Sequence, residues 1–195
     1  NFLATHPLNT GPIGVTGSNS ANLVAEKADV IFAVGTRMQD FTTGSWTAFA
    51  PDARIISLNS ARHDAAKHFS QPVVGDAKLG LLEISMLLGN HKAPDVWTKF
   101  ARQERVKWDT YVAKNVKPGN RPNSYAQAIG VVNGLCGPRD RIVAAAGGLP
   151  AELSANWRTL DIGTVDIEFG FSCMGYEIAG GWGARIAQSE EEPGS

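Results

Sequence analysis

Three short apolar runs constrain the fold of this chain more than any other feature. Val30–Val34, Arg54–Asn59 and Pro72–Asp76 have the length of a strand and lack polar alternation. Such runs are typical of parallel strands that are buried on both faces. Because stretches with helical spacing separate them, the pattern predicts a doubly wound α/β domain, which we place at residues 1–89.

Two helices of this domain have recognisable starts. Ser18 can cap one helix, and Asp76 or Ala77 opens another, because Ser and Asp side chains accept hydrogen bonds from first-turn amides. The second helix is expected to face a core with five apolar residues: Leu79, Leu82, Ile84, Leu87 and Leu88.

The second half of the chain differs in character. Residues 90–123 predict a linker with an amphipathic helix from about Asp95 to Lys114, and residues 124–187 predict a second α/β unit. That unit begins with a helix capped by Ser124 and continues with a buried strand, Arg141–Ala146. The acidic residues 188–195 are expected to be a disordered tail.

Composition and charge exclude several classes of protein. The 195 residues are 43% hydrophobic and carry a net charge of −1 without clustered Lys or Arg, so a nucleic-acid surface is not expected. No apolar run approaches the roughly 18 residues of a membrane helix, and the N-terminal residues give no reason to expect an export signal. Cys136 and Cys173 are isolated, which favours a reducing cytoplasm over a disulfide framework or zinc site.

Searches for common catalytic motifs identify little. The chain has no phosphate-loop, HExxH or G-x-S-x-G motif, and Gly11–Gly17 has the wrong glycine spacing for a dinucleotide fingerprint. Arg37 and Asp40 follow a strand and could contact a substrate or partner domain, or form an ion pair that holds the Asp40–Trp46 loop. The four histidines show no paired spacing and are expected to be exposed or to cap helices: His6, His63, His68 and His91.

Two glycine-containing stretches are the best candidates for a binding site. Gly147–Pro150 follows a strand, and with a helix from Ala151 its backbone amides can converge on an anion. An ordinary strand-to-helix turn is the alternative. Phe169–Ala187 predicts a loop that presents backbone to a ligand, followed by a closely packed glycine-rich helix. A glycine-rich helix that simply packs on a neighbour is the alternative there.

The second stretch resembles the Met-Gly segment of thiamine diphosphate enzymes of the acetohydroxyacid synthase type. The resemblance implies that Met174 lies beneath the bent cofactor and that the Ser172 carbonyl accepts a hydrogen bond from its aminopyrimidine. A Gly is common in such enzymes where Ser172 stands, but the contact is through backbone. It also implies that the turn after Arg141–Ala146 helps to hold the diphosphate. The six residues assigned to the cofactor are Gly147, Gly148, Leu149, Ser172, Cys173 and Met174.

Two more specific runs narrow the resemblance. Asp40–Trp46 and Ser172–Glu177 are similar to the branch of these enzymes that opens a cyclic dione in inositol catabolism. This branch implies thiamine diphosphate and Mg²⁺ as cofactors, carbon–carbon cleavage to 5-deoxy-glucuronate, and a homo-oligomer. The alternatives are another thiamine diphosphate lyase or carboligase, such as an acetohydroxyacid synthase with FAD on its central domain, or an inert α/β module.

The resemblance also shows which parts are missing. Such enzymes carry a glutamate that activates the cofactor and a Gly-Asp-Gly segment with asparagines that binds Mg²⁺, and neither is found here. The chain is therefore expected to be a fragment, with the central domain at residues 1–89 and the start of an incomplete diphosphate-binding domain at 124–187. We expect no catalytic or metal-binding residue within it, and no activity from it alone.

Overall fold

The computed structural model describes residues 3–119 and 124–191, and these form two compact units. The first unit is Thr10–Val106, and the second combines the residues up to Asn9 with those from Lys107 onward. Each unit contains a parallel sheet with helices connecting its strands. The predicted α/β class is therefore confirmed.

The first unit has a three-stranded parallel sheet in the order β1-β2-β3. Val30 lies opposite Arg54, and Ile56 lies opposite Gln71. The three predicted strands are confirmed, with the third running from Gln71 to Val74. The elements of the first unit, in order, are α1 Asn19–Glu26, β1 Val30–Val34, α2 Asp40–Thr43, β2 Arg54–Asn59, α3 Arg62–Ala65, a 3-10 turn Lys67–Phe69, β3 Gln71–Val74 and α4 Ala77–Leu88.

Helices α1 and α4 of this unit begin at the capping residues that the sequence predicts. The Ser18 hydroxyl accepts a hydrogen bond from the Ala21 amide at 3.0 Å. The Asp76 carboxylate accepts one from the Leu79 amide at 2.9 Å. Both predicted caps are confirmed, and each satisfies an amide that has no acceptor within its helix.

The core of the first unit covers only one face of the sheet well. It is built from Ala25, Ala33, Met38 and Phe49. Side chains alternate between the two faces of a strand, so Val30 and Phe32 of β1 point to the face opposite Ala33. They are 42% and 39% exposed. The prediction that β1 is buried on both faces is wrong.

Helix α4 does not turn its apolar residues toward a core, so that prediction is also wrong. It meets the sheet at Gly80, where an added Cβ would lie 2.7 Å from Leu58 Cδ2. This close approach leaves the larger side chains away from the sheet. Leu79, Leu82, Leu87 and Leu88 are more than half exposed, whereas Ile84 is half-buried.

A side-chain bridge closes the loop before α1. Asn22 accepts a hydrogen bond from the Gly14 amide at 2.8 Å and donates one to the Gly14 carbonyl at 2.9 Å. Gly14 has a φ of +109°, and an added Cβ would lie 2.1 Å from the Phe41 carbonyl oxygen. Only glycine fits at this position.

The second unit has a two-stranded parallel sheet of β4, Ile142–Ala144, and β5, Val165–Ile167. Its core is built from Ile129, Ala144, Leu153 and Trp157. The Trp108 indole donates to the Ala155 carbonyl at 3.1 Å, a hydrogen bond within this unit. The remaining elements, in order, are α5 Asp95–Asn115, α6 Tyr125–Leu135, β4 Ile142–Ala144, α7 Gly148–Asn156, β5 Val165–Ile167 and α8 Tyr176–Glu191.

The boundaries of the second unit differ from expectation in places. The amphipathic helix is confirmed as α5, and Ser124 caps α6 as predicted. Helix α7 begins at Gly148 and not at Ala151, so part of the predicted turn is its first turn. Helix α8 includes residues 188–191 of the expected tail, while residues 120–123 and 192–195 lie outside the described part of the chain.

Within residues 3–119 and 124–191, every helix is too short or too polar to cross a membrane.

We predict that Asn22→Ala lowers the free energy of unfolding of the first unit by about 1–3 kcal/mol, because both hydrogen bonds to Gly14 are lost. Urea unfolding would measure the change. Asn19→Ala is the matched control, since Asn19 is an exposed residue of the same helix. Equal midpoints for the two variants would contradict the bridging role of Asn22.

We also predict that the exposed apolar side chains of α4 cause the chain to associate. Leu79 is 62% and Leu87 is 87% exposed, and contiguous apolar surface of this kind favours self-association. The double variant Leu79→Gln, Leu87→Gln should lower the mass measured by light scattering toward that of one chain. Lys78→Gln, on the same helix, should leave it unchanged. Association that persists in the double variant would contradict this prediction.

Candidate cofactor-binding site

The parallel pairing of β4 with β5 brings the two candidate loops to one edge of a sheet. Ile142 lies opposite Val165, and Ala144 lies opposite Ile167. The Glu168 amide then donates to the Ala144 carbonyl at 2.9 Å, just beyond the last strand pair. Both loops therefore leave the carboxyl ends of adjacent strands, where open α/β sheets bind ligands.

The first loop offers main-chain donors. Gly147 precedes α7 with a φ of +133°, a conformation that favours glycine, and no side chain caps the helix. The amides of Gly148 and Leu149 have no acceptor within the helix, because first-turn amides lack one, and Pro150 has no amide hydrogen. Two donors therefore lie at the positive end of a helix, an arrangement suited to an anionic group.

The neighbourhood of Gly148 also favours a small residue. A Cβ added at Gly148 would lie 3.2 Å from Cε2 of the Tyr125 ring. Leu149 is 41% exposed, so its side chain does not close the turn off from solvent. The turn keeps its backbone accessible.

The second loop carries the remaining three candidate residues. Ser172 has a φ of +54°, and its carbonyl accepts a hydrogen bond from the Met174 amide at 3.0 Å. A carbonyl oxygen has a second lone pair, so it can still accept from a ligand amine. Met174 is 83% exposed and Cys173 is exposed as well. Met174 is thus an apolar side chain on the surface and not a core methionine.

Helix α8 after this loop is less buried than expected. Ile178 is 77% and Trp182 is 70% exposed. The expectation of a closely packed helix is therefore wrong for the described residues. The apolar residues of α8 line up on the solvent side, as those of α4 do.

Glu168 is a residue of this loop to which sequence reasoning gave no role. Its two carboxylate oxygens accept hydrogen bonds from the amides of Phe171, at 2.9 Å, and Cys173, at 3.0 Å. The amide hydrogen bonds from Cys173 and Phe171 hold the pKa of Glu168 below its ordinary value. The sequence did offer one indication of this role, because Glu168 is a carboxylate that comes directly after a strand and before a glycine-containing loop.

The same carboxylate affects the neighbouring thiol. Partial desolvation and the negative charge of Glu168 raise the pKa of Cys173. The thiol is therefore protonated near neutral pH, whereas the thiolate is the nucleophilic form. Cys173 can contribute backbone to the site but is not arranged as a nucleophile.

Two further hydrogen bonds fix the start of α8. The Tyr176 hydroxyl donates to Asp166 Oδ2 at 2.8 Å, and this hydrogen bond raises the pKa of Tyr176. The Gly175 amide donates to Glu177 Oε2 at 3.1 Å. The loop is consequently held at its helical end as well as at its strand end.

These residues fit a thiamine diphosphate group in kind. Gly148 and Leu149 supply uncapped amides for an anion, Ser172 supplies a carbonyl for an amine, and Met174 supplies an exposed apolar contact for a ring. Across residues 3–119 and 124–191, no three His, Cys, Asp or Glu side chains come together as metal ligands.

The other candidates from the sequence lie in the first unit. Arg37 donates to the Gln39 side chain at 2.9 Å, and its own carbonyl accepts from Lys67 at 2.8 Å. The carbonyl of Asp40, not its carboxylate, accepts the Ser45 amide at 3.0 Å. His68 stacks on Trp46 with ring centroids 3.6 Å apart, a contact that spacing could not indicate. The two cysteines are free thiols.

Comparison with known proteins identifies relatives of this chain. Residues 1–84 match the family described as "Thiamine pyrophosphate enzyme, central domain". The "3D-(3,5/4)-trihydroxycyclohexane-1,2-dione hydrolase" of Geobacillus thermodenitrificans is 37% identical over 97% of this chain and 33% of its own length. Proteins of the same name from Clostridium botulinum and Listeria innocua are 33% and 34% identical, over 97% and 94% of the chain.

The chain spans about a third of the length of the curated relatives that it matches. The matched region takes in 97% of this chain, so it spans both candidate loops as well as the first unit. The chain is homologous to these hydrolases and carries, in residues 1–84, the central domain of the thiamine pyrophosphate enzymes.

Proposed function

We propose that this chain is part of a thiamine diphosphate-dependent hydrolase that cleaves a carbon–carbon bond of 3D-(3,5/4)-trihydroxycyclohexane-1,2-dione. The observation that carries the proposal is the 37% identity over 97% of the chain to a protein with this named activity. The two loops at one edge of the β4-β5 sheet support it, because they offer the contacts that the cofactor needs.

The cofactor supplies the carbanion chemistry when it is bound. In this proposal the amides of Gly148 and Leu149 donate to its diphosphate at the start of α7. The Ser172 carbonyl accepts a hydrogen bond from its amino group, and the Met174 side chain supports its rings. The six proposed cofactor-binding residues are Gly147, Gly148, Leu149, Ser172, Cys173 and Met174.

The remaining parts of the reaction are assigned to the longer protein. The relatives are about three times as long as this chain, so Mg²⁺ ligands, the acid–base groups and the subunit contacts of a homo-oligomer are proposed to lie in the remaining two thirds. Residues 1–89 would be its central domain and residues 124–187 the start of its diphosphate-binding domain. The proposed product is 5-deoxy-glucuronate.

The direct test uses the full-length protein that contains this chain. With thiamine diphosphate and Mg²⁺ it should convert the cyclic dione to the open-chain deoxyuronate, and omission of thiamine diphosphate should abolish turnover. Pyruvate is the comparison substrate. Acetolactate formation without hydrolysis of the dione would replace this proposal with a carboligase, and the absence of thiamine diphosphate binding would overturn it entirely.

We predict that Met174→Ala in the full-length protein lowers turnover by about a hundredfold, because misplacement of reacting groups by about 1 Å has an effect of this size. Met174→Leu keeps the bulk and should be mild. The melting temperature of the 195-residue chain should hardly change on either substitution, since Met174 is 83% exposed in it. Turnover per folded molecule and thermal unfolding would be measured together.

Met86→Ala is the matched control for this experiment. Met86 is 74% exposed on α4, so its truncation removes a similar side chain from a surface outside the site. Turnover should remain at the level of the unmodified protein. An alanine variant at Met174 that turns over as fast as the Met86 variant would remove Met174 from the cofactor site.

A further inference from the structure

Glu168 connects the sheet of the second unit to the loop that carries Met174. Its own amide donates to the Ala144 carbonyl at 2.9 Å, so its backbone continues the β4-β5 hydrogen bonding. Its Oε1 accepts from the Phe171 amide and its Oε2 from the Cys173 amide, at 2.9 and 3.0 Å. One side chain thus ties two loop amides to a rigid element.

These two bonds determine the backbone between and beyond them. Ser172 lies between the two tied amides and has a φ of +54°, a left-handed conformation that few non-glycine residues adopt. In that conformation its carbonyl accepts the Met174 amide at 3.0 Å. The carbonyl of Ser172 and the amide of Met174 therefore lie directly beside the backbone that the carboxylate binds.

The other end of the loop is fixed independently. The Tyr176 hydroxyl donates to Asp166 at 2.8 Å, and the Gly175 amide donates to Glu177 at 3.1 Å. Asp166 belongs to β5, the strand that leads into Glu168. Met174 therefore lies between two points that are both anchored to the same strand.

We propose that Glu168 is a positioning residue, which holds the Ser172 carbonyl and the Met174 side chain in the arrangement that receives the cofactor. The inference rests on the proposed function, since it gives a purpose to a loop assigned to cofactor binding. Glu168 acts through the backbone and is not a catalytic residue. A glutamine cannot replace it, because only one of its two terminal atoms accepts a hydrogen bond.

The first test needs no cofactor. In the ¹⁵N-labelled 195-residue chain, the amide proton shifts of Phe171 and Cys173 should move together as pH falls. Because hydrogen bonding lowers the pKa of Glu168, both bonds persist at the ordinary glutamate pKa and are lost only below it. In Glu168→Gln the two shifts should be displaced at neutral pH and should no longer titrate.

Asp140→Asn is the matched control. Asp140 also accepts a backbone amide through its carboxylate, from Gly137 at 2.7 Å, in another turn of the same unit. Its substitution should leave both loop amides unchanged. The Trp108 indole resonance, whose N–H donates to the Ala155 carbonyl, reports in each variant whether the unit is folded. Unchanged loop amides in a folded Glu168→Gln chain would overturn the positioning role.

The second test uses calorimetric titration of the full-length protein with thiamine diphosphate and Mg²⁺. Glu168→Gln should weaken binding by about tenfold, as expected for lost hydrogen bonds to a charged group, whereas Asp140→Asn should bind normally. Normal binding by Glu168→Gln would overturn the inference and leave the proposed function intact. If the unmodified protein binds no thiamine diphosphate, the proposed function fails and the purpose assigned to Glu168 fails with it, whatever the amide shifts show.

Discussion

The candidate site depends on the parallel pairing of β4 with β5. Parallel neighbours end at the same edge, so the turn after Ala144 and the loop after Ile167 must leave the sheet side by side. Glu168 extends this pairing by one more hydrogen bond and then redirects the chain through its carboxylate. A short two-stranded sheet can thus bring together residues that lie more than twenty positions apart in the sequence.

Much of this arrangement could be predicted from the sequence, for identifiable reasons. Strands such as Val30–Val34 could be predicted because a continuous apolar run of this length is typical of a strand, although β1 proved to be well buried on one face only. Caps such as Ser18 and Asp76 could be predicted because capping depends on local chemistry. The roles of the six cofactor residues came from a family resemblance, whereas the residues themselves indicated only that the Gly147–Pro150 turn could bind an anion. The role of Glu168 could not be predicted from the sequence, because it depends on where the two carboxylate oxygens lie in the folded loop.

The burial of the helices was the least predictable feature. Helical spacing shows that Leu79 and Leu87 share one side of α4 but cannot show what that side meets. In the first unit α4 contacts the sheet through Gly80, which approaches Leu58 of β2, whereas Leu79 and Leu87 of α4 remain exposed. Ile178 and Trp182 of α8 are likewise exposed. Apolar periodicity therefore predicted correctly where α4 and α8 lie in the chain, but the prediction that their apolar sides pack against a core was wrong.

Most of the proposed cofactor contacts are main-chain groups, and this has a consequence for how the sequence of the site can vary. Amides at the start of α7 and the carbonyl of Ser172 remain in place whichever side chains flank them, provided that the backbone holds its conformation. Different side chains can then stand at Leu149, Pro150 and Ser172 without loss of these main-chain contacts. Variation is restricted instead at Gly147, whose φ of +133° favours glycine, and at Glu168, whose carboxylate maintains the loop.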